Sequence, residues 1–111
     1  MTTVAAPSAA HASELVVAID GEMTIYRAVE LKLLLIGALA HAGPIRVDLS
    51  KVTELDSAGV QLVMLARQLA ECRHTELAFV APSDTVREVF RLLGLEHLVA
   101  PSPVAAAQET A

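Results

Sequence analysis

The sequence predicts a single α/β domain in which helices cover one face of a small sheet. Three observations predict it. Short aliphatic, partly β-branched runs alternate with longer segments of helical period in the order β-β-α-β-α-β-α. The stretch from 45 to 81 reads as strand, helix and strand with short links, and such a unit is normally a right-handed parallel crossover. The helical segments are too apolar to stand alone, so they must pack on a sheet.

Each element has its own signal. Leu15 to Ile19 is a short apolar strand, and Asp20-Gly21 is a tight-turn dipeptide. Met23 to Ile25 is then expected as the second arm of a hairpin. From Ala28 to Ala40 the period becomes helical. Leu31, Leu34, Leu35, Ala38 and Leu39 share a face, and Gly43-Pro44 ends the segment. Ile45 to Leu49 alternates as a strand, with Ile45, Val47 and Leu49 on one side and Arg46 and Asp48 on the other. Ser50 to Leu55 reads as a loop. Ser57 to Cys72 is a helix with Ala58, Leu62, Leu65 and Leu69 on its apolar face. Leu77 to Ala81 is a strand ended by Pro82. Ser83 to Leu93 is a helix with Val86, Val89, Phe90 and Leu93 inward and Gly94 as its C-terminal cap.

Length and composition limit what the domain can be. The chain has 111 residues, enough for one modest core, and 54% of them are hydrophobic. Residues 1–13 and 101–111 are rich in Ala, Ser, Thr and Pro without periodicity and are expected as flexible tails around a domain at 14–100. A formal net charge of -5 repels a phosphate backbone, and one Tyr and two Phe leave few stacking platforms, which argues against nucleic acid. The apolar run Leu31 to Ala40 is broken by Lys32 and is about half a membrane span. Together with the lack of a secretory signal, this places the chain in the cytoplasm as an expectation. Cys72 stands alone and is expected as a small buried hydrophobe.

Catalytic and cofactor constellations are not evident. His11, His41, His74 and His97 are spread without ligand spacing, and the single Cys completes no zinc set. Asp48, Glu54 and Asp56 lie near one loop, but no His or Lys stands by them as base or nucleophile, and they read as solvated acids. Five isolated glycines make no phosphate-cradling loop. The expectation is a chain that binds rather than catalyses, with no cofactor and no metal.

The informative stretch is Asp48-Leu49-Ser50 followed by Leu55-Asp56-Ser57-Ala58-Gly59-Val60. A strand ends, and Asp56-Ser57 opens a helix. By spacing alone, either residue reads as a simple N-cap, a role worth about 1 kcal/mol. On the same helix Val60, Met64, Arg67 and Glu71 make a stripe apart from the apolar face, a mixture of apolar and charged groups suited to a partner surface.

The segments V-D-L-S-K-V-T-E-L-D-S-A-G-V-Q-L and V-R-E-V-F-R-L-L-G-L-E-H-L-V, with Asp20-Gly21-Glu22 upstream, resemble the STAS domain of sulfate transporters and anti-sigma-factor antagonists. The resemblance spans about residues 14–100 in family order. It implies a mixed sheet of four to five strands with helices mainly on one face. It also implies that Ser57, directly after the motif acid Asp56, is the residue phosphorylated by a kinase-like anti-sigma factor or related regulatory kinase. The expected partner surface joins the motif residues Asp56, Ser57, Ala58 and Gly59 to Val60, Met64 and Arg67 of the stripe. Ala58 departs from the second Ser or Thr of many members, a feature shared with lipid-transport and chemotaxis-associated ones. The alternatives are therefore an accessory subunit docked on the ATPase of a lipid-transport ABC complex, or a chemotaxis-associated adaptor suggested by E-M-T-I-Y-R-A-V-E-L-K. Added charge at a helix start is compatible with the helix dipole but opposes a partner packed there, which is the physics of a switch.

Overall fold

Aliphatic alternation at three places in the chain produces three parallel strands. The computed structural model describes residues 13–99. Within them β1 (Leu15–Met23), β2 (Ile45–Leu55) and β3 (Leu77–Val80) form one parallel sheet in the order β1-β2-β3. The links are α1 (Ala28–Ala38), preceded by a 3-10 turn at Ile25–Arg27, and α2 (Ser57–Cys72). After β3 come α3 (Asp84–Leu92) and a 3-10 turn at Glu96–Leu98. The expected tails at 1–13 and 101–111 lie outside the described residues, Ser13 excepted.

The register aligns the core. Val17 is opposite Val47, and Val47 opposite Phe79, so each central row of the inward face is apolar. Ile19, Ile45, Val47, Leu49 and Phe79 are fully buried against Leu31, Leu35, Val63, Val86 and Phe90 of the helices. The alternate residues Val16, Ala18, Arg46 and Asp48 point away from that core, as period-2 geometry requires.

The hairpin expected at Asp20-Gly21 does not form. β1 continues through it to Met23, and the strand it pairs with, β2, continues to Leu55 through the segment expected as a loop. The two corrections have one cause. The extensions pair with each other, with Glu22 opposite Glu54 and Met23 opposite Leu55. Met23 and Val52 are thereby buried. Gly21, at φ +90°, absorbs a register shift within a continuing strand instead of reversing the chain. A mixed sheet of four to five strands is accordingly replaced, among the described residues, by a parallel one of three.

The helix faces are shifted slightly from expectation. In α2 the buried arc is Gly59, Val60, Leu62, Val63, Ala66 and Ala70, one position round from the predicted 58, 62, 65 and 69. Cys72, at the helix end and off that arc, is exposed rather than buried. Leu34 and Leu93, expected inward, are exposed, the first on the outer side of α1 and the second where α3 ends. Gly94 caps α3 as predicted. At φ +74° it lets the Leu95 N–H return to the Phe90 carbonyl at 2.7 Å.

Candidate functional site

The C-terminal ends of β1 and β2 meet the N-terminus of α2, and one carboxylate joins all three. Asp56 has extended backbone (φ -121°, ψ -172°) and is the N-cap of α2. Its Oδ1 accepts the Gly59 N–H at 3.2 Å, closing the first turn. Its Oδ2 accepts the Ile25 N–H at 3.0 Å, across 31 residues of sequence. Its own N–H donates to the Met23 carbonyl at 3.3 Å. These donors, that of Ile25 foremost and then those of Gly59 and Ala58, hold the Asp56 carboxyl below the usual aspartate range.

Gly59 lets the strand and helix approach. A Cβ at that position would lie 2.3 Å from the Met23 carbonyl oxygen and 2.4 Å from Leu55 Cδ1. No side chain fits there without moving the end of β1. The glycine of the D-S-x-G run is thus required by packing.

Arg27 fixes the opposite side of the junction. Its Nη1 donates to the carbonyls of Asp20 at 2.6 Å and Glu22 at 2.9 Å, bracketing the irregular stretch of β1. Its guanidinium also pairs with Glu30 at 3.2 Å. The Thr24 hydroxyl donates to Glu22 Oε1 at 3.1 Å. The turn at Ile25–Arg27 is therefore held by Asp56 at its start and Arg27 at its end. On it Ile25 is 62% and Tyr26 90% exposed, two large apolar side chains presented to solvent beside the α2 start.

The predicted residues separate into two groups. Ser57 is exposed at the first position of α2, Ala58 is half-buried, and Asp56 and Gly59 make the junction. Val60 is not part of an exposed stripe: it is 5% exposed and belongs to the core, because the buried arc of α2 includes it. Of the stripe, Met64 and Glu71 are exposed, while Arg67 is half-buried and its Nη1 reaches the Leu98 carbonyl at 3.4 Å. Asp48 stands apart from Asp56. It sits mid-strand and accepts the Ser50 N–H at 2.8 Å, which lowers its pKa. Ile25, Tyr26 and Arg27 were not among the predicted site residues. Their signal was an Ile-Tyr pair in a polar stretch directly after a strand, at the point where a loop meets a helix.

The family described as "Mlab, STAS domain" matches residues 8–100. The chain belongs to the STAS family. Solved structures share the fold of this STAS domain. The anti-sigma factor antagonist SpoIIAA in its unphosphorylated form is 22% identical, with 88% of each chain covered and a TM-score of 0.66. A sulfate transporter family protein from Wolinella succinogenes is 18% identical, covering 78% of this chain and 71% of its own, with a TM-score of 0.64. The Bacillus cell fate determinant SpoIIAA in its phosphorylated form is 21% identical, covering 88% of this chain and 91% of its own, with a TM-score of 0.60. No curated protein matches the sequence significantly. Among the described residues no helix is long and apolar enough to cross a membrane, and no group of three or more His, Cys, Asp or Glu is placed to hold a metal ion.

Proposed function

We propose that this STAS domain is a cytosolic protein-binding switch. It binds a kinase-like anti-sigma factor or related regulatory kinase over the start of α2 and is released when Ser57 is phosphorylated. One observation carries the reading: Asp56 makes the capping and cross-strand bonds of the junction, while the adjacent Ser57 is exposed. Asp56 meets the structural need of the helix start, and the neighbouring hydroxyl lies open to an incoming γ-phosphate.

The surroundings suit the role. Ile25 and Tyr26 supply exposed apolar area next to Ser57, the kind of contact that gives a partner interface its affinity. A phosphate adds about -1.5 to -2 charges. The α2 dipole favours an anion at this end, so the fold tolerates it. A partner packed over Ser57 would have to bury that charge beside Asp56, which is strongly unfavourable. That SpoIIAA, similar in fold, is known in unphosphorylated and phosphorylated forms supports the same reading.

The test is a comparative pull-down from the native cell extract with wild-type, Ser57→Ala and Ser57→Asp baits. The proposal expects a kinase-like protein on the first two and its loss on the third. A partner held equally by all three, in particular a transporter ATPase, would replace the switch with constitutive docking on the same surface.

A further inference from the structure

The outward side of α1 carries no polar stripe. Val29 is 73% and Leu33 66% exposed, Leu34 is exposed beside them, and Gly37 continues the same face one turn on. The opposite side, with Leu31 and Leu35, is already committed to the core. A surface helix ordinarily turns charged residues to water. Over its 11 residues α1 offers only Glu30 and Lys32, which cancel.

Among the described residues of one copy, nothing requires a glycine at position 37. Gly37 lies in the last turn of α1, one residue before its end, where glycine is still a poorer helix former than alanine. Here its backbone is helical, and a Cβ built on it meets nothing within 4 Å. Gly59 is needed because β1 approaches it, whereas no described residue approaches a Cβ at Gly37. A glycine on an apolar helix face is what a second helix needs to come close.

We propose that the outer face of α1 is a homodimer surface, on which a second copy of this chain packs its own α1 antiparallel about a two-fold axis at Leu33. Counting from that axis, Val29 and Gly37 are each four residues away, one on either side. In the antiparallel pair Val29 of one copy therefore fills the notch over Gly37 of the other, twice by symmetry, and the two Leu33 side chains meet at the centre. Large against small is the complementarity this face holds for itself. Its lack of net charge lets two copies meet despite a formal charge of -5 on each chain. A helix of about 16 Å offers less than a standard interface, so a weak, reversible dimer is expected.

Sedimentation equilibrium across the micromolar range tests this, with full-length wild-type, Gly37→Leu and Leu33→Glu proteins. The wild type should show a monomer–dimer equilibrium. Gly37→Leu adds apolar area and a better helix former but closes the notch, so it should weaken association by at least about tenfold, where non-specific stickiness would strengthen it. Leu33→Glu should be monomeric with an unchanged circular dichroism spectrum. In a Cys72→Ser background, Leu33→Cys should form a disulfide dimer on mild oxidation faster than Tyr26→Cys does. A wild type that stays monomeric throughout the range overturns the proposal, including one that instead binds zwitterionic lipid vesicles. So does a dimer that Gly37→Leu leaves intact.

Discussion

Adding one methyl group at Gly59 should damage the junction on which the candidate site is built. In Gly59→Ala the new Cβ falls 2.3 Å from the Met23 carbonyl oxygen and 2.4 Å from Leu55 Cδ1. The leucine methyl can rotate away, but the carbonyl cannot. It belongs to Met23, which is buried at the strand end together with the next residue, Thr24. Moving it by the roughly 0.7 Å needed to reach even a 3.0 Å contact also stretches the Asp56 N–H bond to that carbonyl, already 3.3 Å long. Overpacking of this kind costs about 1–3 kcal/mol. Higher helix propensity of Ala returns at most about 1 kcal/mol. The net loss should be about 1–2 kcal/mol by urea titration. Gly37→Ala is the control: the same substitution in the same kind of element, with open space around it. At protein concentrations where the chain is monomeric, it should gain up to about 1 kcal/mol. Gly59→Ala as stable as the wild type would show that the strand end yields freely and that the junction is not the rigid support described.

Other perturbations have definite outcomes. Phe90→Ala removes a fully buried side chain of α3 and should cost about 3–5 kcal/mol in denaturant titration; a loss below about 1 kcal/mol would mean that α3 is not a core element. His74 ends α2 at φ +55°, where glycine is unstrained, so His74→Gly should raise stability by up to about 1 kcal/mol, and a lower melting temperature would contradict that reading. Asp56 and Asp48 both have carboxyls held below the usual range by backbone N–H donors, so each contributes stability that is full above the unfolded value of about 3.9 and is lost as pH falls through the lower folded pKa. The urea midpoint should be flat near neutrality and fall below about pH 4, less steeply in Asp56→Asn; an identical acid slope in that variant would remove Asp56 from the account.

The helices and the core were legible because their signals are long. α2 was bounded correctly at Ser57 and Cys72 by an acid cap before a periodic run, and α3 by Ser83 and Gly94. The end of the sheet was not legible. Asp-Gly between apolar residues is the usual mark of a hairpin, and Ser-Lys-Val-Thr-Glu has too few apolar residues to suggest a strand. What decided both was pairing between segments some thirty residues apart, which no local window contains. The site was half legible for the same reason. Asp56, Ser57 and Gly59 form a local motif, but the bond from Ile25 to Asp56 that brings Ile25 and Tyr26 beside them is a tertiary contact. Val60 was misplaced by one helical position, enough to move it from the surface to the core.

The central claim is that charge at Ser57 removes a partner without disturbing the fold. Titration calorimetry against the partner recovered by pull-down tests it most directly, comparing wild-type, Ser57→Ala, Ser57→Asp and stoichiometrically phosphorylated protein, with circular dichroism on each. The account predicts equal binding by the first two, weaker binding by Ser57→Asp, and the largest loss for phospho-Ser57, whose charge is nearly twice that of Asp. All four should have superimposable spectra, since the helix dipole accommodates an anion at this end of α2. Equal affinities for all four forms, or a loss of binding that accompanies unfolding, would contradict it.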